Sequence, residues 1–405
     1  MEAADADRLW YFCVAIVGFF FYRFDAHPVV VRSPSWTPIW LLKGARDTSA
    51  AARLTLLLVG LALACFPTLA HAAPARATFF AAVAVADLWL FVSFYCHPGF
   101  VLLHMSAAMI LPAGPERVAV LRLIVAHQLG SSGVMKLRIA GVRGFCHPDA
   151  MERWLRFTLG DVEYYHDPHV LVQPPGSLQP WLVRFLLAQP ALRTAMSAAG
   201  LAFEMSVLPI VLFGSGWLLW LLFAAASCFH LMTLPIMGIF FPLSIQCYAL
   251  ALLPAQDEPN FLAPAPLVAA LLLGASTFFG MEDWPLNAMS MFPYSWEQSD
   301  RLGGLMGRFK LAFKGQDESA KLGPCITTVC CSACAAAYWP HFIGAVGGTP
   351  WRFSVFELGE AEPEPDEVIL KRLKRWVRQG AAFVDPVTWT SFDDVRLVET
   401  PKKAA

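Results

Sequence analysis

Charged residues are scarce in this 405-residue chain: only 15% of positions are Asp, Glu, Lys or Arg, against about 25% in soluble domains. With 57% hydrophobic residues, the composition is that of a polytopic membrane protein. A net charge of -1 lacks the basic excess that nucleic-acid binding requires, so no nucleic-acid partner is expected. A secreted disulfide framework is missing as well. Of the ten cysteines, Cys13, Cys65, Cys228 and Cys247 lie in apolar runs and read as small buried hydrophobes. No internal repeat is visible. A basic signal-peptide start is also absent: residues 1–8 carry Glu2, Asp5 and Asp7, and no small-residue cleavage site follows the apolar block 9–22, which is expected to remain as a first helix.

What the chain has in abundance is apolar sequence in blocks. Candidate spans fall near 9–23, 53–72, 77–95, 99–113, 117–137, 196–213, 216–234, 235–254 and 261–280, each approaching the ~20 residues needed to cross a hydrocarbon core. The expected fold is an all-α polytopic membrane bundle of about eight or nine transmembrane helices, some of them half-helices, with a long ordered loop and a small C-terminal tail. Pro209, Pro235 and Pro242 are expected to break or kink their helices. Arg23, Arg32, Lys43, Arg46 and Arg53 follow the first span, and Arg138, Arg143, Arg153, Arg156, Arg184 and Arg193 follow the fifth. With four complete spans between them, both groups face one side, which the positive-inside rule makes cytoplasmic.

Two regions fall outside the spans. Residues 138–194 are rich in aromatics, His and Pro, too long for a turn and too apolar for a disordered linker. The chain therefore divides into a transmembrane domain, residues 1–296, and a tail, residues 297–405. In the tail, Cys325, Cys330, Cys331 and Cys334 do not have a standard zinc spacing, and their apolar stretch reads as a re-entrant or interfacial segment open to acylation. Farther on, Ile369, Leu373, Trp376 and Val377 form the apolar face of a helix whose other face carries Lys371, Arg372, Lys374, Arg375 and Arg378, with Gly380 as its stop. Such a helix suits an anionic membrane surface or packs within the tail.

The richest segment is 123–137, LIVAHQLGSSGVMKL, which carries His127, Gln128 and Lys136 through an apolar run. Ionisable groups at bilayer depth are costly and mark a site or pathway by default. Lys136 ends its span, so its stem also has the option of reaching headgroups. A helix continuous through Gly130 and Gly133 places His127 and Lys136 near one face but ~13–14 Å apart, out of direct contact. Glu204, early in the sixth span, must stay protonated or find a basic partner. His230 has the alternative of a helix-to-helix hydrogen bond. His97 and His104 open the fourth span as CHPGFVLLH. A lysine, several histidines and a glutamate on different spans together suggest a proton-handling cavity.

The succession FYCHPGFVLLHMSAAM, VAHQLGSSGVMKLRIAGVRGF and LAFEMSVLPIVLFGSGWLLWLLFAAASCFHLMTLPIMGIFFP, followed by MEDWPLNAMSMFPYSW, resembles the membrane core of vitamin K-dependent gamma-carboxylases and the wider horizontally transferred transmembrane (HTTM) group. The resemblance covers roughly residues 8–296. It implies a catalytic lysine at Lys136 and a helper histidine at His97, with Glu204 and His230 at polar positions of the core. In the carboxylase, a lyase, an amine kept neutral by its apolar site deprotonates vitamin K hydroquinone. Oxygen converts the hydroquinone to a strong base, and the resulting glutamyl carbanion takes up carbon dioxide. The resemblance thus implies vitamin K hydroquinone or another quinol as cofactor, with no metal, and an endoplasmic-reticulum-like endomembrane. Met135-Lys136 stands where the vertebrate enzyme has a lysine pair, and only about 110 residues follow the core, where that enzyme has a large lumenal portion.

Two functions follow as expectations. One is an integral-membrane enzyme using Lys136 and His97, with His104, His127, Glu204 and His230 around a lipid-soluble substrate. The other is a non-catalytic or transport-type protein whose same buried groups bind a lipid, proton or partner. A metal-dependent lipid oxidase built on His97, His104, His166 and His169 ranks far below both, because HDPH and HPGFVLLH lack the tighter pairs of a helix-borne diiron site. Membrane lipids are the expected partners, and the sequence names no protein partner.

Overall fold

The computed structural model describes residues 3–22, 31–32, 39–93, 97–159, 177–237, 241–253, 258–279, 282–283, 285–287, 309–313, 367, 383–384 and 395–399. Up to residue 279 the described chain is mainly helical: α1 (Ala3–Phe21), α2 (Ile39–Cys65), α3 (Pro67–Ala70), α4 (Ala73–Ser93), α5 (His97–Ala108), α6 (Pro115–Ile139), α7 (Gly141–Phe145), α8 (Pro148–Leu159), α9 (Pro180–Leu187), α10 (Pro190–Phe213), α11 (Trp217–Met237), α12 (Pro242–Leu252) and α13 (Pro264–Phe279). Seven of them begin on a proline. The ring presets φ for the first helical turn, and its missing N–H is one that no helix would have bonded there.

Each candidate span holds a helix, and among the described residues four helices are long and apolar enough to cross a membrane: Trp40–Cys65, Pro115–Arg138, Pro190–Phe213 and Trp217–Ile236. This is compatible with an integral membrane protein. The apolar helices α5, α12 and α13 are shorter. Two expectations are corrected in detail. α2 starts at Ile39, so Lys43, Arg46 and Arg53 lie on a helix and not in a loop, and Pro242 opens α12. Pro209 and Pro235 sit inside α10 and α11, the latter two residues before its end. The Pro235 carbonyl takes hydrogen bonds from the Ser177 hydroxyl and the Gln179 amide, both at 3.0 Å, which pins the end of α11 to the start of α9.

Packing places α6 at the centre. Of its spanning window 83% is buried, against 28%, 28% and 22% for the other three long helices, and α5, α10, α12 and α13 all pack on it. Beside this group, α1, α2 and α4 pack together. They approach closely at Gly60, where a β-carbon would stand 2.7 Å from that of Ala15 and 2.9 Å from the Phe79 ring. Trp10, Tyr11 and Phe79 meet edge to face there, with centroids 5.1–5.9 Å apart.

The stretch read as one long loop after α6 carries α7, α8 and α9 in its described parts. α8 and α9 bury Leu155, Val183 and Leu186 against Met151, Leu182, Met196 and Ile236, a small second core at one end of α10 and α11. Short antiparallel strand pairs complete the described residues: β1 (Val31–Arg32) with β5 (Phe383–Val384), β2 (Glu282–Asp283) with β3 (Leu286–Asn287), and β4 (Phe309–Phe313) with β6 (Val395–Glu399). The tail thus contributes strands, which the sequence reading did not foresee, and one of them pairs with the α1–α2 connection. The cysteine-rich segment 325–334, the basic helix after Glu367, and His166 and His169 lie outside the described residues.

Candidate functional site

Lys136 sits on the last turn of α6, 6% exposed, and Glu204 on α10, 2% exposed. Gly133, one turn before the lysine, lets these helices touch: a β-carbon there would stand 2.9 Å from the Glu204 Cβ and 3.1 Å from the Met205 sulfur. With the backbones this close, the Lys136 ammonium forms a direct ion pair with Glu204 Oε1. It also donates to the Ser132 hydroxyl at 3.1 Å and lies 5.2 Å from the centroid of the Phe145 ring. The lysine therefore does not reach for headgroups, and Glu204 has the basic partner that its burial demands. Glu204 Oε2 is buried without a hydrogen-bond partner.

The histidines occupy other seams. His104 on α5 donates from Nε2 to the Pro285 carbonyl at 2.8 Å, since a carbonyl only accepts. This fixes the tautomer, leaving Nδ1 as a buried acceptor with no partner. The His104 and His127 rings are 6.4 Å apart, and His127 Nδ1 lies 3.3 Å from the Thr277 hydroxyl of α13. His127 and Lys136 do not touch, as their spacing foretold. Gln128 donates to Ser244 of α12 at 3.1 Å. His230 on α11 contacts the Ala226 carbonyl at 3.2 Å and the Tyr248 hydroxyl at 3.3 Å through Nδ1, with Phe241 edge-on at 5.0 Å. His230 thus makes a helix-to-helix contact, from α11 to α12. His97 opens α5, and its side chain lies outside the described residues.

Of the six residues singled out from sequence, the structure joins Lys136 to Glu204 and sets His104 beside His127, while His230 stands with Tyr248. Sequence reasoning missed Ser132, Phe145, Tyr248 and Thr277. Ser132 alone left a signal, lying four residues before Lys136 on the same helical face. Thr277 also anchors a second cation, through its carbonyl, which accepts from Arg138 at 3.0 Å. Among the described residues no group of three or more His, Cys, Asp or Glu is placed to hold a metal ion.

Chemically, a net-neutral Lys–Glu pair is stable away from water where either member alone would not be. An open carboxylate oxygen beside an ammonium is also an arrangement able to take up a proton and hold the negative charge left behind. No protein-family model, no curated protein and no solved structure matches this chain.

Proposed function

We propose that the chain is an integral-membrane, carboxylase-like enzyme in which Lys136 and Glu204 act as one proton-accepting unit on a quinol or another lipid-soluble acid. One observation carries this reading: the ion pair is buried between α6 and α10, and Glu204 Oε2 is left without a partner. The HTTM-type architecture, an endomembrane location and lyase chemistry belong to the same proposal through the resemblance.

When bound, a hydroquinone supplies an acidic phenol and the reducing power for reaction with oxygen. The residues fit such a guest at one point, the unpartnered buried Oε2, which accepts a hydrogen bond from a hydroxyl and then its proton. Protonation leaves Glu204 neutral. Lys136, no longer compensated, then holds the negative charge formed beside it, so the site gains no net charge as the proton moves. Ser132 keeps the ammonium oriented, and the Phe145 ring covers it from one side. The lysine works here as a pair with the carboxylate and not as an isolated neutral amine.

The alternative, a non-catalytic or transport-type membrane protein, draws on the division of the polar groups among three helix seams, at Lys136/Glu204, His104/His127 and His230/Tyr248. Purified protein in neutral detergent, given vitamin K hydroquinone, oxygen and bicarbonate, tests the choice. Hydroquinone turnover to the epoxide is expected for the wild type. It should be lost in the folded double variant Lys136→Met/Glu204→Leu, which removes both charges together. Absence of turnover in the wild type, or unchanged turnover in the double variant, would overturn the enzyme reading in favour of the alternative.

A further inference from the structure

Arg122 lies on α6 between Leu121 and Ile124 and is only 3% exposed. Among the described residues its guanidinium makes no hydrogen bond or ion pair, and its Nε is buried without a partner. Three other buried cations among the described residues have a carboxylate partner. Lys136 has Glu204, Arg193 has Glu152 at 2.7 Å, and Arg117 has Asp7 at 2.7 Å. An isolated buried charge costs several kcal/mol, and arginine cannot relieve that cost by losing its proton. Among the described residues none offsets that cost, and an anion seated against the guanidinium would.

The surroundings add to the demand. Arg117 starts the same helix, five residues earlier. Its pairing with Asp7 brings the start of α6 to the start of α1, while Arg8 donates to the Ala64 carbonyl at the end of α2 at 2.8 Å. Arg76, 7% exposed at the start of α4, donates to the Ala70 carbonyl at 3.3 Å and leaves its Nε buried and unpartnered. This end of the bundle therefore holds three buried guanidiniums, with Asp7 as the carboxylate bound to one of them. Helical spacing sets Arg122 within about 20° of Gly133, on the side of α6 that meets α10, and about 21 Å along the axis from Lys136. It is distinct from the Lys136–Glu204 pair and plays no part in the function proposed above.

We infer that Arg122 is the anchor of an anion-binding site for a lipid-borne oxoanion, a phosphate or carboxylate headgroup drawn into the bundle at the Arg76–Arg117 end. The planar guanidinium suits a two-pronged contact with such a group, and the neighbouring arginines attract anionic headgroups to that face.

The test uses the full chain in alkyl maltoside micelles, which carry no anion, and follows the apparent Tm on adding phosphatidylglycerol or, separately, inorganic phosphate. Phosphatidylglycerol is expected to raise the Tm of the wild type, because a ligand that binds only the folded state stabilises it. Arg122→Met should start at or above the wild-type Tm in anion-free micelles, having lost an unpaired charge, and should show no response specific to the lipid. An equal rise with inorganic phosphate keeps the anion site and assigns its occupant to solution. Absence of any shift in the wild type, or the same shift in Arg122→Met, overturns the inference. If Arg122→Met does not fold, native mass spectrometry of the wild type decides. One phosphatidylglycerol retained through delipidating washes supports the site, and none retained overturns it.

Discussion

Gly133 of α6 and Glu204 of α10 are in contact so close that a β-carbon on the glycine would stand 2.9 Å from the Cβ of the glutamate. The ion pair one turn further along depends on this approach, because the reach of the Lys136 side chain is spent within the narrow seam. Gly130, one turn back, is looser: its nearest neighbour would be the Glu204 carbonyl at 3.7 Å, an ordinary contact. The two glycines should respond oppositely to the same change. Gly133→Ala forces α10 outward, strains the Lys136–Glu204 contact and costs about 1–3 kcal/mol, the range for overpacking. Gly130→Ala fits without displacement and gains up to about 1 kcal/mol of helix propensity. Thermal unfolding of both variants in one detergent separates the two signs. Equal destabilisation would mean that Gly133 is not the point of closest approach.

The pair itself makes a second prediction. Lys136→Met leaves a carboxylate buried beside apolar groups, and Glu204→Leu leaves an ammonium. Each single change is expected to cost about 3–5 kcal/mol, as breaking a buried pair does, while the double change should recover most of that loss. A double-mutant cycle measured by unfolding gives the coupling directly. Additive losses would show that the two groups do not sense each other in the folded protein.

Much of the helical layout was legible in the sequence because the apolar blocks mark it: each candidate span holds a helix. The prolines were not read as starts, although Pro115, Pro190, Pro242 and Pro264 each stand at the first position of a helix. At Pro235 the sequence could not show what meets the end of α11: the Pro235 carbonyl, two residues before the helix stops, is taken by Ser177 and Gln179 from 56–58 residues away. Burial of Lys136 and the need of Glu204 for a cation were both readable, yet their partnership was not. It spans 68 positions and is set by the absence of a side chain at Gly133. His104 was readable as a polar group in an apolar run, but its acceptor is a backbone carbonyl, which no residue type advertises. The strand pairing of Phe309–Phe313 with Val395–Glu399 escaped for a related reason: two five-residue segments this far apart give no local hint that they are partners.

A last prediction concerns the end of the bundle nearest the ion pair. Arg193, 3% exposed at the start of α10, gathers the neighbouring elements around one guanidinium. It binds Glu152 of α8 at 2.7 Å, the Pro148 carbonyl at 2.9 Å and the Leu186 carbonyl of α9 at 3.1 Å, with a further contact to the Leu187 carbonyl. The Leu186 and Leu187 carbonyls lie in the last turn of α9, where intrahelical donors run out, and the Pro148 carbonyl opens α8. Arg193→Met keeps the apolar stem and removes every one of these donors, leaving Glu152 without its buried partner. The expected result is local loosening and not global loss, because α6 and the core around it do not depend on Arg193. Amide hydrogen exchange should accelerate in Pro148–Leu159 and Pro180–Leu187 while the protection of α6 is unchanged. Glu152→Gln, which leaves the three carbonyl contacts in place, should produce a smaller acceleration confined to α8. Unchanged exchange in α8 and α9 in the Arg193 variant would mean that the apolar contacts of Leu155, Val183 and Leu186 hold these helices without it.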